Sequence, residues 1–264
     1  MRIAVTIVVT IVALAIMPVL SPFLWAGEGN PNTRVIPRSA YPFGKSFNDW
    51  SAEWWKWQLS LPATDHPAFS VDGANCDAGQ SGKVWFLTGA FTDEFPENEF
   101  NTVIRESCSV PPGKAIFFPI INVECSTIES PPFLLIKEGP DKNVDTCAAS
   151  FVEGPIAVAE DLSVTIDGTA LENPEAFRYQ SPVFDFSFED ENDNILGVDC
   201  SIADCDDAYS ISDGYWIMLT PLPVGEHAIN FTGSFRDPIS LDLIFGLDVT
   251  YIITVSPRNV HDDD

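Results

Sequence analysis

The sequence has few basic side chains for its length. It contains 13 Lys and Arg residues against 39 Asp and Glu residues, which gives a formal net charge of −26 at pH 7. Nucleic acids and anionic membranes would be repelled by this surface, so neither is expected as a partner. The charge is compatible with bound cations, with a high-salt environment, or simply with solubility.

Several motifs that mark common enzyme classes are absent. The sequence has only three histidines, none at a zinc-binding spacing, and it has no Cys-x-x-Cys pair. It also has no His-Glu-x-x-His, no Gly-x-x-x-x-Gly-Lys and no Gly-x-Gly-x-x-Gly after a strand. A zinc hydrolase, a P-loop nucleotide-binding protein and a dinucleotide-binding oxidoreductase are therefore not expected.

The N-terminal segment is long, apolar and without charge. It runs from Ile3 to Ala26 after a single basic residue, Arg2, and polar residues follow it. This order predicts a signal peptide over residues 1–26, and hence a secreted, periplasmic or cell-surface protein. The alternative is an uncleaved membrane anchor, since the run is long enough to span a bilayer. With cleavage, no membrane contact is expected.

The cysteine content agrees with export. An even number of cysteines in an exported chain indicates disulfide bonds, although the connectivity stays open at this point. We favour pairing between neighbours in the sequence, which gives Cys76–Cys108, Cys125–Cys147 and Cys200–Cys205.

One segment, residues 46–60, has a clear helical pattern. Ser46 and Asp49 have the spacing of a capping box, and the large apolar residues share one face: Phe47, Trp50, Trp54, Trp57 and Leu61. Such a face either docks the helix on a core, which we favour, or serves as a platform for sugar rings. Trp55 lies off this face and is the better candidate for an aromatic that binds a ligand.

The rest of the chain predicts short strands separated by Gly, Pro and Asn. They are expected at Val84–Phe91, Thr102–Val110, Lys114–Asn122, Leu162–Ile166, Val183–Phe188, Tyr215–Leu219, His227–Phe235 and Leu247–Val255. This pattern predicts a mostly β fold, an antiparallel β-sandwich or jelly roll with one N-terminal Trp-rich helix. We expect a flexible leader over 27–45, a single domain over 46–256 and an acidic tail over 257–264.

Three residues are candidates for acid–base catalysis. Glu124 ends the apolar run 115–123, where burial would raise the pKa of its carboxyl group and suit it to act as a general acid. His66 lies in a loop just beyond the helix, and Glu53 lies on the helix itself. The alternative for each residue is a structural hydrogen bond or ion pair.

Acidic loops provide candidates for a calcium site. The loop from Glu189 to Asp199 also contains Asp190 and Asp193, and it follows a well-patterned strand. A second candidate has oxygen ligands at alternate positions, Asp141, Asn143 and Asp145, but lacks the glycine and glutamate of an EF-hand. Ca²⁺ is the one cofactor that the sequence suggests, and a solvated acidic loop is the alternative in each case.

Four segments together resemble a group of exported microbial proteins with no established activity. They are SAEWWKW at 51–57, GQSGKVWFL at 79–87, PGKAIFFPIIN at 112–122 and SDGYW at 212–216. The resemblance implies export and a single unit that spans both halves of the chain. It implies no catalytic residue.

Together these features predict a secreted or surface-attached, disulfide-braced β-sandwich with a binding or structural role. An extracellular polysaccharide or another polymer is the expected ligand, with Ca²⁺ as a structural ion. The alternative is a secreted hydrolase that uses a Glu or Asp together with His66.

Overall fold

The computed structural model describes residues 34–91, 99–128, 159–237 and 239–256. The protein is mostly β and has one Trp-rich helix, as predicted. The regular elements, in chain order, are α1 (Phe47–Ser60), β1 (Val84–Phe86), β2 (Asn101–Val110), β3 (Ala115–Ser126), β4 (Ala159–Ile166), β5 (Thr169–Ala170), β6 (Arg178–Gln180), β7 (Phe184–Phe186), β8 (Ala208–Leu219), β9 (Gly225–Arg236) and β10 (Leu243–Val255).

The strands form two five-stranded sheets. In the first sheet the order is β1-β3-β8-β6, and β7 also pairs with β8. In the second the order is β2-β10-β9-β4-β5. Most pairs are antiparallel, but β1 pairs with β3 and β2 pairs with β10 in parallel, so both sheets are mixed rather than purely antiparallel. Parallel strands are joined by a long crossover connection rather than by a short turn. Turn residues in the sequence therefore do not reveal which strands pair in parallel.

The main core lies between the two sheets. Phe118 of β3 and Phe231 of β9 are fully buried, with their ring centroids 5.0 Å apart. Ile217 of β8 and Val249 of β10 are fully buried in the same cluster. Apolar side chains from both sheets therefore share one interior, which is a sandwich-like arrangement.

Helix α1 packs on the outer face of the first sheet. Its capping box is formed, because Asp49 N donates to Ser46 Oγ and Ser46 N donates to the Asp49 carboxylate. Trp54 is 1% exposed, packs edge-on against Trp216 of β8 and donates its indole N–H to Leu87 O. The Trp face of the helix is thus a docking face, as favoured, and does not present rings to a sugar.

Part of the predicted leader over 27–45 contacts the first sheet. Val35 is buried against the core, and Ile36 N donates to Met218 O at the end of β8. Val35 also forms an isolated antiparallel β-bridge with Leu219, the last residue of β8 in the first sheet. Residues 27–33 of that leader lie outside the described residues.

Disulfide bonds brace the loops. Cys76–Cys108 joins the loop before β1 to β2, and Cys200–Cys205 closes a short loop before β8. Cys125 is also disulfide-bonded, while Cys147, its predicted partner, lies outside the described residues.

Two other predictions also fall outside the described residues, namely the signal peptide at 1–26 and the tail at 257–264. Within the ranges that are described, α1 is too short and too polar to cross a membrane, and no other helix could do so.

Candidate functional site

An open cleft of about 460 Å³ lies beside the C-terminal half of α1. Three segments that are distant in the sequence line it, namely 56–60, 185–187 and 206–209. Most of the side chains that line it are polar or charged: Lys56, Ser60, Asp185, Ser187, Asp206, Asp207 and Tyr209. The site is therefore assembled only by the tertiary fold.

Local structure explains which side chains face the cleft. In β7 the alternation of the strand buries Phe184 and Phe186 and leaves Asp185 exposed between them. Lys56 lies one helical turn before Ser60 on α1, so both reach the same side of the helix. These two elements form opposite sides of the cleft.

The third side of the cleft follows the Cys200–Cys205 disulfide. A 3₁₀ turn at Cys205–Asp207 places Asp206 and Asp207 at the surface, directly before β8. Cys205 is buried in the apolar cluster beneath α1, so the disulfide and this burial together anchor the turn. Tyr209, which comes two residues later, is 41% exposed and presents its ring to the cleft.

Charge in the cleft is predominantly negative. Lys56 Nζ donates to Asp185 Oδ1 at 3.0 Å, and this hydrogen bond lowers the pKa of the Asp185 carboxyl below its ordinary value. A hydrogen bond to Asp207, together with the charge of that carboxylate, raises the pKa of the Tyr209 phenol. One cation and three carboxylates line the cleft, and Tyr209 remains a neutral phenol at pH 7.

These groups suit the recognition of hydroxyl groups. Each carboxylate accepts up to several hydrogen bonds, while Lys56, Ser60 and the phenol of Tyr209 also donate them. The exposed ring of Tyr209 adds an apolar face with a polar edge. Among the described residues that line the cleft there is neither His nor Cys, so these residues form no nucleophile–base pair of the Ser-His or Cys-His type.

His66 is held as a structural residue. It is 1% exposed, its Nε2 lies 3.0 Å from Gln58 O, and its Nδ1 accepts from Ala68 N at 3.1 Å. Nε2 therefore carries the proton and donates it to the carbonyl. Burial lowers the pKa of the His66 imidazole to about 4, so the ring is neutral at pH 7.

The other two catalytic candidates bind different partners. Glu53 forms a half-exposed ion pair with Lys45 at 2.8 Å. Glu124, on β3, accepts a hydrogen bond from Ser210 of β8. None of these described contacts connects Glu53, His66 and Glu124 to one another, and their joint catalytic role stays a prediction.

Trp55 is a buried residue of α1. It is 5% exposed and packs edge-on against Trp54 with ring centroids 5.1 Å apart. It belongs to the apolar cluster beneath α1, because the loop before β8 covers this flank of the helix and adds side chains such as Leu196 and Val198. The structure therefore places Trp55 among core side chains, and a role for it in ligand binding stays a prediction.

The carboxylates of the loop 189–199 form hydrogen bonds within and next to the loop. Asp190 Oδ1 accepts from Asn192 N at 2.9 Å, and Asp199 Oδ1 accepts from Ser201 N at 2.9 Å. Asp193 accepts from Thr64 N, and Glu189 is exposed.

No metal-ligand set is apparent in the part of the chain that the structure describes. There, no three His, Cys, Asp or Glu side chains gather in a group that could hold a metal ion. The second calcium candidate, Asp141, Asn143 and Asp145, lies outside the described residues.

Sequence reasoning missed the residues that line the cleft. Asp185 carried a usable signal, because it is the polar position in an alternating strand and must face away from the core. Lys56 and Tyr209 carried none, since each is an ordinary surface residue until the fold brings it next to Asp185. Asp206 and Asp207 lie in an acidic stretch with Asp204, and acidic stretches are common in this sequence.

Comparison of the chain with protein-family models, with curated proteins and with solved structures finds no match.

Proposed function

We propose that this protein is an exported, disulfide-braced β-sandwich that binds an extracellular carbohydrate in the cleft formed by α1, β7 and the start of β8. The ligand is a polysaccharide or an oligosaccharide derived from one, and the protein binds it without transforming it. The cleft and the braced sandwich support the proposal.

The lining of the cleft is the observation that carries the proposal. Sugars present neighbouring hydroxyl groups, which suit the paired acceptor atoms of Asp185, Asp206 and Asp207. They also present apolar C–H faces, which pack on aromatic rings such as that of Tyr209. The volume of about 460 Å³ lies in the range of small-molecule sites.

The disulfide bonds support the proposed location. Disulfides persist in oxidising compartments, and two of them lie wholly within the described residues, where they brace loops. An acidic surface keeps an exported protein soluble. Both features suit a protein that acts outside the cytoplasm.

A glycan-array screen followed by calorimetry tests the proposal. The wild-type protein should bind a defined set of glycans, and Tyr209→Ala should weaken binding by about tenfold or more, the usual consequence of removing a central aromatic contact. Tyr209→Phe keeps the ring and should retain most of the affinity. Phe69→Ala is the matched control, since Phe69 is 37% exposed and lies outside the cleft lining.

Two results would contradict binding in the cleft. One is the absence of any glycan ligand for the folded wild-type protein across the array. The other is a bound glycan whose affinity is the same in wild type, Tyr209→Ala and Asp185→Asn. Release of reducing sugar from a bound glycan would instead favour the hydrolase alternative.

A further inference from the structure

A second surface combines exposed aromatic rings with lysines. Tyr41 is 72% exposed and Phe43 is 47% exposed, and Lys83 Nζ lies 5.9 Å from the centroid of the Phe43 ring. Lys114 Nζ donates to the carbonyl of Gly82, the residue next to Lys83. We call these four residues, Tyr41, Phe43, Lys83 and Lys114, the Phe43 surface.

The lysines of this surface are unusual in so acidic a protein. Five of the cations in the described residues form ion pairs with carboxylates: Arg34, Lys45, Lys56, Arg178 and Arg236. Arg105 is buried and donates to backbone carbonyls and to the Tyr251 hydroxyl, and Arg38 donates to the carbonyl of Ala176. Lys83 and Lys114 have no carboxylate within ion-pair distance in that part of the chain, although acidic residues outnumber basic ones three to one, 39 to 13.

The backbone holds the Phe43 ring outward in a conformation that a bulky residue rarely adopts. Phe43 has φ 55° and ψ 26°, in the left-handed region, and it precedes Gly44. Its ring packs edge-on against Trp50 with centroids 6.3 Å apart, and the Trp50 indole N–H donates to Pro42 O at 3.0 Å. A buried residue of α1 thus fixes the position of an exposed ring.

We infer that the Phe43 surface is a second binding site, separate from the cleft, for an anionic glycan whose carboxylates are widely spaced. Sugar rings would pack on Phe43 and Tyr41, and their carboxylates would bind Lys83 and Lys114. A densely charged polyanion is disfavoured, because the remaining surface of this molecule, with a net charge of −26, repels it. At physiological salt, charges beyond about 8 Å are screened, so the two local lysines dominate at contact.

Calorimetry with a hyaluronan octasaccharide, which carries one carboxylate per disaccharide, tests this inference. The wild-type protein should bind it saturably, and a neutral dextran of equal length and a single-stranded oligonucleotide should bind at least about tenfold more weakly. Lys83→Gln combined with Lys114→Gln should weaken binding by about tenfold or more. Arg236→Gln is the charge control, because Arg236 ends β9 in the other sheet, and it should leave the affinity unchanged.

Phe43→Gly separates a binding role from a structural one. Glycine adopts the left-handed conformation without strain, which offsets the loss of the ring contact with Trp50, so this variant should keep a melting temperature close to that of the wild type while it loses about tenfold or more in affinity. Tyr209→Ala, which alters the cleft, should leave the affinity for the octasaccharide unchanged. The proposed site in the cleft and the proposed site on the Phe43 surface can therefore be contradicted independently.

Three outcomes would overturn the second site. They are no saturable binding of the octasaccharide by the folded wild type, equal or tighter binding of the oligonucleotide, and unchanged affinity in Phe43→Gly or in the double lysine variant. A loss of affinity in Tyr209→Ala alone would assign the octasaccharide to the cleft instead.

Discussion

At the scale of single residues, burial decides what an ionisable side chain does. The sequence makes His66 a catalytic candidate because it lies in a loop just beyond the helix. In the structure the ring is enclosed, and both of its nitrogens are used by backbone groups. Sequence alone could not show this, since the enclosing atoms come from α1 and from the loop that His66 itself belongs to.

The depressed pKa of His66 predicts a pH dependence of stability. The folded-state pKa is about 4 and the ordinary value is 6.5, so the unfolded chain binds more protons between these values. The contribution of His66 to the free energy of unfolding should therefore fall as pH drops through 6.5 and level off near pH 4, by about 3 kcal/mol. Urea unfolding at several pH values measures it.

The control for this pH dependence is His66→Gln. Glutamine does not titrate, so the variant should have a flatter stability profile between pH 6.5 and pH 4, whatever its absolute stability. Parallel profiles in the wild type and the variant would mean that His66 contributes nothing to the slope.

At the scale of elements, the sequence predicted the helix and eight strands close to where they form. Periodicity identified α1 to within a residue, because the Trp spacing and the capping box agree. The first half of β8 was missed, since Ser210-Ile211-Ser212-Asp213-Gly214 reads as a turn. Its serines are buried because β3 and β7 pair on either side of it, which is a tertiary effect.

Docking of α1 predicts a large cost for truncating its central tryptophan. Trp54→Ala should lower the free energy of unfolding by about 3–5 kcal/mol, because it leaves a cavity and an unpaired carbonyl at Leu87. Thermal or urea unfolding measures the change. Val71→Ala, at a position that is 73% exposed, is the control and should have little effect. An unchanged melting temperature for Trp54→Ala would contradict the docking of the helix through this face.

The Cys200–Cys205 disulfide should matter more for the cleft than for overall stability. The loop is short, so Cys200→Ser with Cys205→Ser should cost only roughly 2 kcal/mol, but it should free the turn that carries Asp206 and Asp207 and weaken glycan binding. Cys76→Ser with Cys108→Ser is the comparison. It opens a longer loop, should cost more stability, and should leave the cleft affinity intact at temperatures where the variant is folded. If the Cys76–Cys108 variant bound glycan more weakly than the Cys200–Cys205 variant, the short disulfide would have no role in shaping the cleft.

Calcium binding by the loop 189–199 stays a prediction. Clustered carboxylates repel one another, and a hard cation relieves that repulsion. If the folded protein alone binds Ca²⁺, a hundredfold excess over Kd should stabilise it by about 2.7 kcal/mol. Thermal unfolding in EDTA, in millimolar Ca²⁺ and in NaCl of matched ionic strength measures this.

A matched pair of variants locates any such effect of calcium. Asp190→Asn should remove it, while Asp237→Asn, in another loop with similar backbone hydrogen bonds, should not. Equal melting temperatures in Ca²⁺ and in NaCl would show that Ca²⁺ only screens the charges of the protein, and the prediction of a calcium site would be wrong.

At the scale of the whole molecule, composition predicted the fold class, which the structure confirms, and it did not predict the cleft; an exported location stays a proposal. Aromatic and β-branched content, turn residues and an even number of cysteines suffice for a disulfide-braced β fold. The cleft could not be predicted, because its three segments are far apart in the sequence and share no recognisable motif. Nor could the Phe43 surface, whose lysines and aromatic rings come from different loops.

Hydrogen-exchange mass spectrometry with and without the best array glycan tests the central claim most directly, because it locates the ligand on the folded protein. If the cleft binds the glycan, amides of 53–60, 184–188 and 205–210 should exchange more slowly in its presence, while β9 and β10 should be unchanged. Protection that appears only elsewhere, or none at saturating glycan, would contradict binding in the cleft.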